Sequence, residues 1–225
     1  MHLEKRGEVS LALLENLDSI KSHLTQQTII AATKYVDSSK MKELLLLGIN
    51  HFGENRAESF LEKYETFEKE KITWHFIGSL QTNKVKKIIN KIDYLHSLDR
   101  LSLALEIQKY RITPLKCFIE VHISKEVSKS GIDNKEVIDF IKKIEIYDKI
   151  EVVGLMGMAS NTEDKVQIES EFLSLKKLSN KIKKLQLPNV KQSYLSMGMS
   201  NDYQIAVKCN ATHLRLGRIL FRNEG

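Results

Sequence analysis

A lysine at the end of a buried strand can present its amine to a ligand away from bulk water, and residues 28–34 read Thr-Ile-Ile-Ala-Ala-Thr-Lys. The run is rich in β-branched and small residues and lacks period-2 alternation, the pattern of a strand covered on both faces. Lys34 then stands at its carboxyl end, where parallel α/β sheets place their ligands. Taken alone, Lys34 also fits a solvated loop lysine. Two later segments bear on the choice. Ser-Met-Gly-Met-Ser-Asn-Asp (196–202) has a glycine for close backbone approach and then small polar caps, and Leu-Gly-Arg (216–218) is a second flexible turn. Backbone N–H groups at such turns bind phosphate. Read as structure only, Gly198 and Ser200 simply begin a helix.

These segments can share one site only if the fold brings them together. Strands are expected at 28–34, 49–53, 73–78, 94–98, 115–123, 152–156, 194–197 and 213–216. Helices with one apolar stripe separate them. The stripes are Met41, Leu44 and Leu45; Ala57, Phe60, Leu61 and Tyr64; Val85, Ile88 and Ile89; Leu101, Ala104 and Leu105; Val137, Ile138, Ile141 and Ile144; Val166, Phe172, Leu175 and Leu178; and Ile205, Ala206 and Cys209. Ser38 or Ser39 can cap the first of these helices, and Asp133 or Asn134 the fifth. Eight strand–helix units in 225 residues favour a single (β/α)8 TIM barrel spanning 1–225, with a doubly wound sheet as the alternative. Val9, Leu13, Leu17, Ile20 and Leu24 form an extra N-terminal helix, expected to cover the gap left because only residues 221–225 follow the last strand.

Composition narrows the function classes. The chain is 42% hydrophobic, its longest apolar run (44–47) cannot span a bilayer, and its N-terminus lacks the apolar core of a signal peptide. A cytoplasmic protein with no membrane partner is expected, a monomer by default. Cys117 and Cys209 have neither metal nor disulfide-framework spacing and read as buried thiols. The net charge of +6 raises a nucleic-acid partner, with Lys84, Lys86, Lys87 and Lys91, or Lys181, Lys183 and Lys184, as patches. These lysines alternate with apolar residues at helical spacing and without aromatics, so solvated helix faces are the preferred reading.

A barrel closes its eighth strand onto its first, so Lys34 and a phosphate cradle at the last two turns flank one mouth. An aldehyde bearing a phosphate fits both, and pyridoxal 5'-phosphate is the common ligand of that description, joined to the amine as a Schiff base. Partial desolvation would disfavour the ammonium form of Lys34 and favour attack on the aldehyde carbon. Arg215, which offers only donors, is the natural partner of the pyridine nitrogen and would leave the ring a weak electron sink. Tyr35 and Tyr203 lie near the expected mouth, with nothing that commits either to proton transfer.

The blocks Ala-Ala-Thr-Lys (31–34), His-Phe-Gly-Glu-Asn (51–55), Trp-His-Phe-Ile-Gly-Ser-Leu-Gln-Thr-Asn-Lys (74–84), Ser-Lys-Ser-Gly (128–131), Gly-Leu-Met (154–156), Leu-Ser-Met-Gly-Met-Ser-Asn-Asp (195–202) and Arg-Leu-Gly (215–217) resemble the pyridoxal phosphate homeostasis protein family, in order from first strand to last. The resemblance implies a barrel similar to the N-terminal domain of alanine racemase, with the cofactor on Lys34 and Arg215 at the ring nitrogen. It also implies phosphate contacts from Ser200 and from the backbone of Met199, Gly217 and Arg218, with Asn55 and His75 lining the pocket and no metal. Alone, Asn55 also reads as a helix cap and His75 as a core histidine. The sequence departs from the family pattern at Arg56, Ser79 and Arg218, and Arg218 could strengthen or crowd the phosphate site. Racemases on this barrel take a second proton-transfer tyrosine from an additional C-terminal domain that this chain is not expected to carry. The expected function is therefore a non-catalytic carrier or buffer in pyridoxal phosphate homeostasis and amino-acid balance, passing cofactor to apo-enzymes. The alternatives are a pyridoxal phosphate-dependent racemase or lyase, or a Schiff-base aldolase acting on a phosphosugar.

Overall fold

Helix α1 (Leu11–Lys21) begins where the Ser10 hydroxyl accepts the Leu13 N–H, and it turns Leu13, Leu17 and Ile20 inward. The computed structural model describes residues 9–126 and 130–222. After α1 come β1 (Thr28–Ala32), α2 (Ser38–Leu46), β2 (His51–Glu54), α3 (Ala57–Thr66), β3 (Thr73–Phe76), α4 (Thr82–Ile88), β4 (Tyr94–Leu98), α5 (Leu101–Tyr110), β5 (Leu115–His122) and β6 (Ile132–Asp133). The chain continues through α6 (Val137–Lys143), β7 (Ile150–Gly157), α7 (Lys165–Leu185), β8 (Val190–Ser196), α8 (Tyr203–Lys208) and β9 (His213–Leu216).

Every strand pairing is parallel. Neighbours run β1-β2-β3-β4-β5-β7-β8-β9 and return to β1, so eight strands close a (β/α)8 barrel of the expected class. The two-residue β6 is an addition that pairs with the end of β5. Asp133 therefore sits in a strand rather than capping a helix, and α6 starts after Glu136, which makes no side-chain cap. Of the Ser-Lys-Ser-Gly block, Ser128 and Lys129 lie outside the described residues.

Alternation along the strands sorts residues into two packing layers. Ile29, Ala31, Phe52, Trp74, Leu95, Cys117 and Ile119 face outward and meet the helix stripes in one continuous core. There Phe60 meets the Trp74 ring edge-on, with centroids 5.4 Å apart. The inward layer is smaller and more polar than the Val/Ile/Leu filling usual for such barrels. Phe118, Val153 and Met156 form its apolar patch. Around them lie His75, His96, Ser196, His213 and Arg215, all buried. Stacking holds the imidazoles in place: His75 lies on Tyr94 (4.6 Å, 8°) and His96 on Phe118 (4.3 Å, 24°).

Three helix readings need correction. In α5 the buried side chains are Leu103, Ala104 and Ile107, while Leu101 and Leu105 are exposed. Both pairs, 101/105 and 103/107, have i,i+4 spacing, so periodicity alone could not choose the inner face. Helix α2 is capped by Asp37, whose carboxylate accepts the Lys40 N–H at 3.0 Å, and not by a serine. Val166, expected inward, is exposed in the first turn of α7. Helix α1 does cover the segment after β9: Asn16 Nδ2 donates to the carbonyls of Leu220 (3.1 Å) and Arg222 (2.7 Å). On α4 and beyond it, Lys84 pairs with Glu58, and the Lys86 and Lys91 amines lie over the Tyr110 and Tyr64 rings, all on the outer surface. Both cysteines are buried thiols. Among the described residues no helix is long and apolar enough to cross a membrane.

The polar interior carries a pH signature. Burial lowers the basicity of His51, His75, His96 and His213, that of His213 to about 4. The unfolded chain then binds more protons than the native one as pH falls below the ordinary histidine value, so stability declines on acidification through that window. Between neutrality and pH 5, His213 alone accounts for about 2 kcal/mol. Urea unfolding at the two pH values should show a lower midpoint at pH 5, and an unchanged midpoint would mean these rings are protonated in the native state.

Candidate functional site

All eight barrel strands point their carboxyl ends to one face. The β1–β9 register sets Ala31 opposite Leu216, and the next position, Ala32, lies against Gly217. Thr28, Ile30 and Ala32 share the inward parity, and Lys34 continues it past the end of the strand. Lys34 is exposed, with its amine 4.5 Å from the centre of the Tyr35 ring. This differs from the partly desolvated amine expected from sequence. The ladder makes its last bond from the Thr33 N–H to the Gly53 carbonyl, so Lys34 opens the loop rather than closing the strand. The Lys34 ammonium in turn hydrogen-bonds the Tyr35 phenol and lowers its value.

A buried cluster fixes the residue before Lys34. Glu54 is fully buried and accepts from Thr33 Oγ1 (2.5 Å), Ser59 Oγ (3.1 Å) and Lys63 Nζ (2.6 Å). Lys63 Nζ also donates to the Thr33 carbonyl at 2.5 Å. Thr33 is therefore held by its hydroxyl and its carbonyl at once. Sequence reading missed Lys63, whose partners lie on two other elements.

Arg215 projects into the barrel and is buried. Its Nη1 donates to the Ser196 carbonyl and hydroxyl, each at 2.7 Å, and Nη2 donates to the Gly157 carbonyl at 3.1 Å. Burial pulls its value to about 10, opposed by the charges of Asp202 and Glu120, so the guanidinium stays ionised at neutral pH. Of its five N–H groups, the one on Nε and the second on Nη2 have no protein acceptor among the described residues. Glu120, also absent from the sequence reading, is buried on the same inner face as Phe118 and accepts from Ser130 Oγ at 2.5 Å. Burial raises its carboxyl above the usual range, against the Ser130 bond. Alternation along β5 was the available signal, since it sets an acid two residues after an inward phenylalanine.

The two glycine turns meet beside Arg215. Gly198 has φ +95°, and a Cβ there would lie 2.6 Å from that of Ala206, so both conformation and space require glycine. Its carbonyl accepts the Arg215 N–H at 3.0 Å, tying the turn to β9. Ser200 does not cap α8. Its hydroxyl bridges to the second turn by accepting the N–H groups of Gly217 (3.4 Å) and Ile219 (3.2 Å). The Met199 N–H goes to the Asp202 carboxylate at 2.6 Å, so two amides expected at a phosphate already have protein partners. Arg218 is exposed at the rim, and its own N–H has no protein acceptor among the described residues.

Across the mouth, Gly78 closes against the loop after β2, where a Cβ would fall 2.3 Å from the Asn55 carbonyl oxygen. Asn55 Oδ1 is buried without a partner among the described residues, as are Ser97 Oγ and His122 Nδ1 at the ends of β4 and β5. His75 presents no free nitrogen: one bonds His51 and the other His96, each at 2.9 Å. Arg56 and Ser79 are exposed, and Tyr203 is buried edge-on against His23.

The chain matches the family described as alanine racemase, N-terminal domain, over residues 10–224. It is 35% identical to the pyridoxal phosphate homeostasis protein of Aquifex aeolicus, over 86% of this chain and 85% of that one, and 34% identical to that of Haemophilus influenzae over 86% and 83%. Two solved structures of PipY from Synechococcus elongatus resemble it at 28% and 27% identity. The first, without pyridoxal phosphate, has a TM-score of 0.87 and covers 94% of this chain and 100% of that chain. The second, with pyridoxal phosphate bound, has a TM-score of 0.83 and covers 93% and 99%. Alanine racemase from Corynebacterium glutamicum, at 12% identity and TM-score 0.78, shares the fold over 93% of this chain and 60% of its own. By sequence match, coverage and barrel, the chain belongs to the alanine racemase N-terminal domain family and, within it, to the pyridoxal phosphate homeostasis proteins.

Proposed function

We propose that this protein binds pyridoxal 5'-phosphate covalently through Lys34 and serves as an intracellular carrier or buffer of the cofactor, handing it to apo-enzymes and so affecting amino-acid balance. The observation that carries the reading is the β9-to-β1 closure. It gathers a lysine at an inward-parity position, a buried arginine with spare donors and a pair of joined glycine turns at one mouth. That PipY, a relative of nearly equal length, has been solved with pyridoxal phosphate supports the same assignment.

The residues fit the group. Bound there, the cofactor supplies an electrophilic carbonyl and an electron-accepting ring. Lys34 supplies the amine, and its exposure leaves it free to swing from Tyr35 into the mouth. Ser200, with its oxygen accepting two amides, keeps its hydroxyl hydrogen for a phosphate oxygen, joined by the backbone N–H of Arg218. The backbone N–H groups of Met199 and Gly217 would have to leave Asp202 and Ser200 to contribute. Arg215 would hold the ring nitrogen with one of its remaining N–H groups, and a guanidinium ionised at neutral pH would keep that nitrogen unprotonated. Asn55 Oδ1, buried and with no donor among the described residues, would accept a hydrogen bond from the ligand. His75 shapes the floor through its ring rather than through a nitrogen.

An arginine opposite the ring nitrogen would leave that nitrogen unprotonated and the ring a weaker electron sink than a pyridinium, which is why a carrier is preferred to a racemase or lyase. Purified protein incubated with pyridoxal phosphate should trap it on borohydride reduction. Lys34→Ala should fold normally, because the side chain is exposed, and trap none. Trapping at the wild-type level in that variant would overturn the assignment, and amino-acid turnover abolished by the same change would favour the enzyme reading.

The buried pair behind Lys34 yields a second expectation. Lys63→Ala leaves Glu54 charged and buried and should cost about 3–5 kcal/mol in urea unfolding. It should also slow trapping, since Thr33 loses a tether. Unfolding and trapping both equal to wild type would show that the cluster does not position Lys34.

A further inference from the structure

Arg215 is one end of a hydrogen-bonded chain that crosses the barrel interior. Its Nη1 donates to Ser196 Oγ, which lies 2.8 Å from His96 Nδ1. His96 Nε2 is 2.9 Å from His75 Nδ1, and His75 Nε2 is 2.9 Å from His51 Nδ1. Ser196, His96 and His75 are fully buried. His51 is half-buried and lines a cleft of about 400 Å³ at the opposite, N-terminal face, between α1 and the starts of β1 and β2.

Counting hydrogens gives the chain a direction. A guanidinium can only donate, so Ser196 Oγ accepts from Arg215 and sends its one hydrogen to His96 Nδ1. His96 must then carry its proton on Nε2 and donate to His75 Nδ1. His75 likewise donates from Nε2 to His51 Nδ1, leaving the His51 Nε2–H for the cleft. Every hydrogen between Arg215 and His51 thereby finds an acceptor. The reverse polarity gives Ser196 Oγ two donors and strands its own hydrogen, which has no acceptor among the described residues.

We propose that Ser196, His96, His75 and His51 are positioning residues for Arg215, a one-way relay that fixes the guanidinium from below and holds only while His51 is neutral. The consequence for a bound ring rests on the cofactor reading given above, whereas the relay itself does not. Each Nδ1 in the chain is an acceptor, so a proton on His51 Nδ1 would face the His75 Nε2–H and open the chain at its far end. The surroundings keep the rings neutral. Burial acts first on each, and the permanent charges of Lys116 on His75 and of Arg215 on His96 press the same way. Asp93 pulls the other way on His51, while Glu120 faces Arg215 at the mouth. Tyr94 and Phe118 clamp the His75 and His96 rings by stacking, so neither can turn without unpacking the interior.

Nitrogen-15 spectra of histidine-labelled protein without cofactor read the tautomers directly. The relay requires both His75 and His96 to be neutral with the proton on Nε2, and a proton on Nδ1 of either would overturn it. In arginine-labelled protein, Ser196→Ala, a small change that keeps the packing, should speed exchange of an Arg215 side-chain N–H at least about tenfold, the equivalent of one lost charge-assisted hydrogen bond. Ser196→Thr should restore it, and an unmoved Arg215 signal in Ser196→Ala would refute the positioning role. With pyridoxal phosphate bound, the pH at which its absorbance changes should differ between wild type and Ser196→Ala. Identical pH profiles would overturn the relay's effect on a bound ring and leave the cofactor reading intact. Failure of the wild type to bind pyridoxal phosphate, with the predicted tautomers present, would do the reverse.

Discussion

A permanent positive charge lies inside the barrel, and the interior is arranged around it. Moving a guanidinium out of water costs several kcal/mol after relaxation, and a hydrophobic filling would offer nothing in return. Here two carbonyls and a hydroxyl take three of the Arg215 hydrogens, while Glu120 and Asp202 supply opposing charge. The price is an interior that is polar where most such barrels are aliphatic. It also leaves two directed donors just below the mouth, where a neutral ring nitrogen can accept one.

The other half of the mouth depends on closure. Parallel pairing of β9 with β1 sets the end of the first strand beside the turn after the last, although nearly the whole chain separates them in sequence. Behind that seam, the Glu54–Lys63 pair grips Thr33, and Ser200 staples the two glycine turns together. The scaffold is therefore rigid up to the residue before Lys34 and free at Lys34 itself. A carrier benefits from that division, since the amine must both reach a carbonyl and give it up.

Much of this was readable from residue order because the outer layer is governed by local periodicity. The strands Tyr94–Leu98 and His213–Leu216 have the expected bounds, and the Met41/Leu44 and Phe172/Leu175/Leu178 stripes face inward as spaced. The readings failed where two patterns fitted equally, as in α5, or where a cap competed with its neighbours, as with Asp37. The first strand was read two residues too long because Thr33 keeps the β-branched character of the run, while the ladder makes its last bond at the Thr33 N–H and the strand itself ends at Ala32. The barrel interior was the least legible part. His75 was expected on a pocket wall, but its partners His51 and His96 come from the adjacent strands, and Ser196 joins from half a chain away. Spacing along one strand says nothing about which side chains meet across the interior.

The claim on which the account turns is that the Arg215 charge faces the ring nitrogen of a bound cofactor. Nitrogen-15 resonance of protein loaded with ring-labelled pyridoxal phosphate reports the protonation of that atom directly. An unprotonated, hydrogen-bond-accepting nitrogen at neutral pH is the predicted result, and the signal of a protonated pyridinium would contradict it.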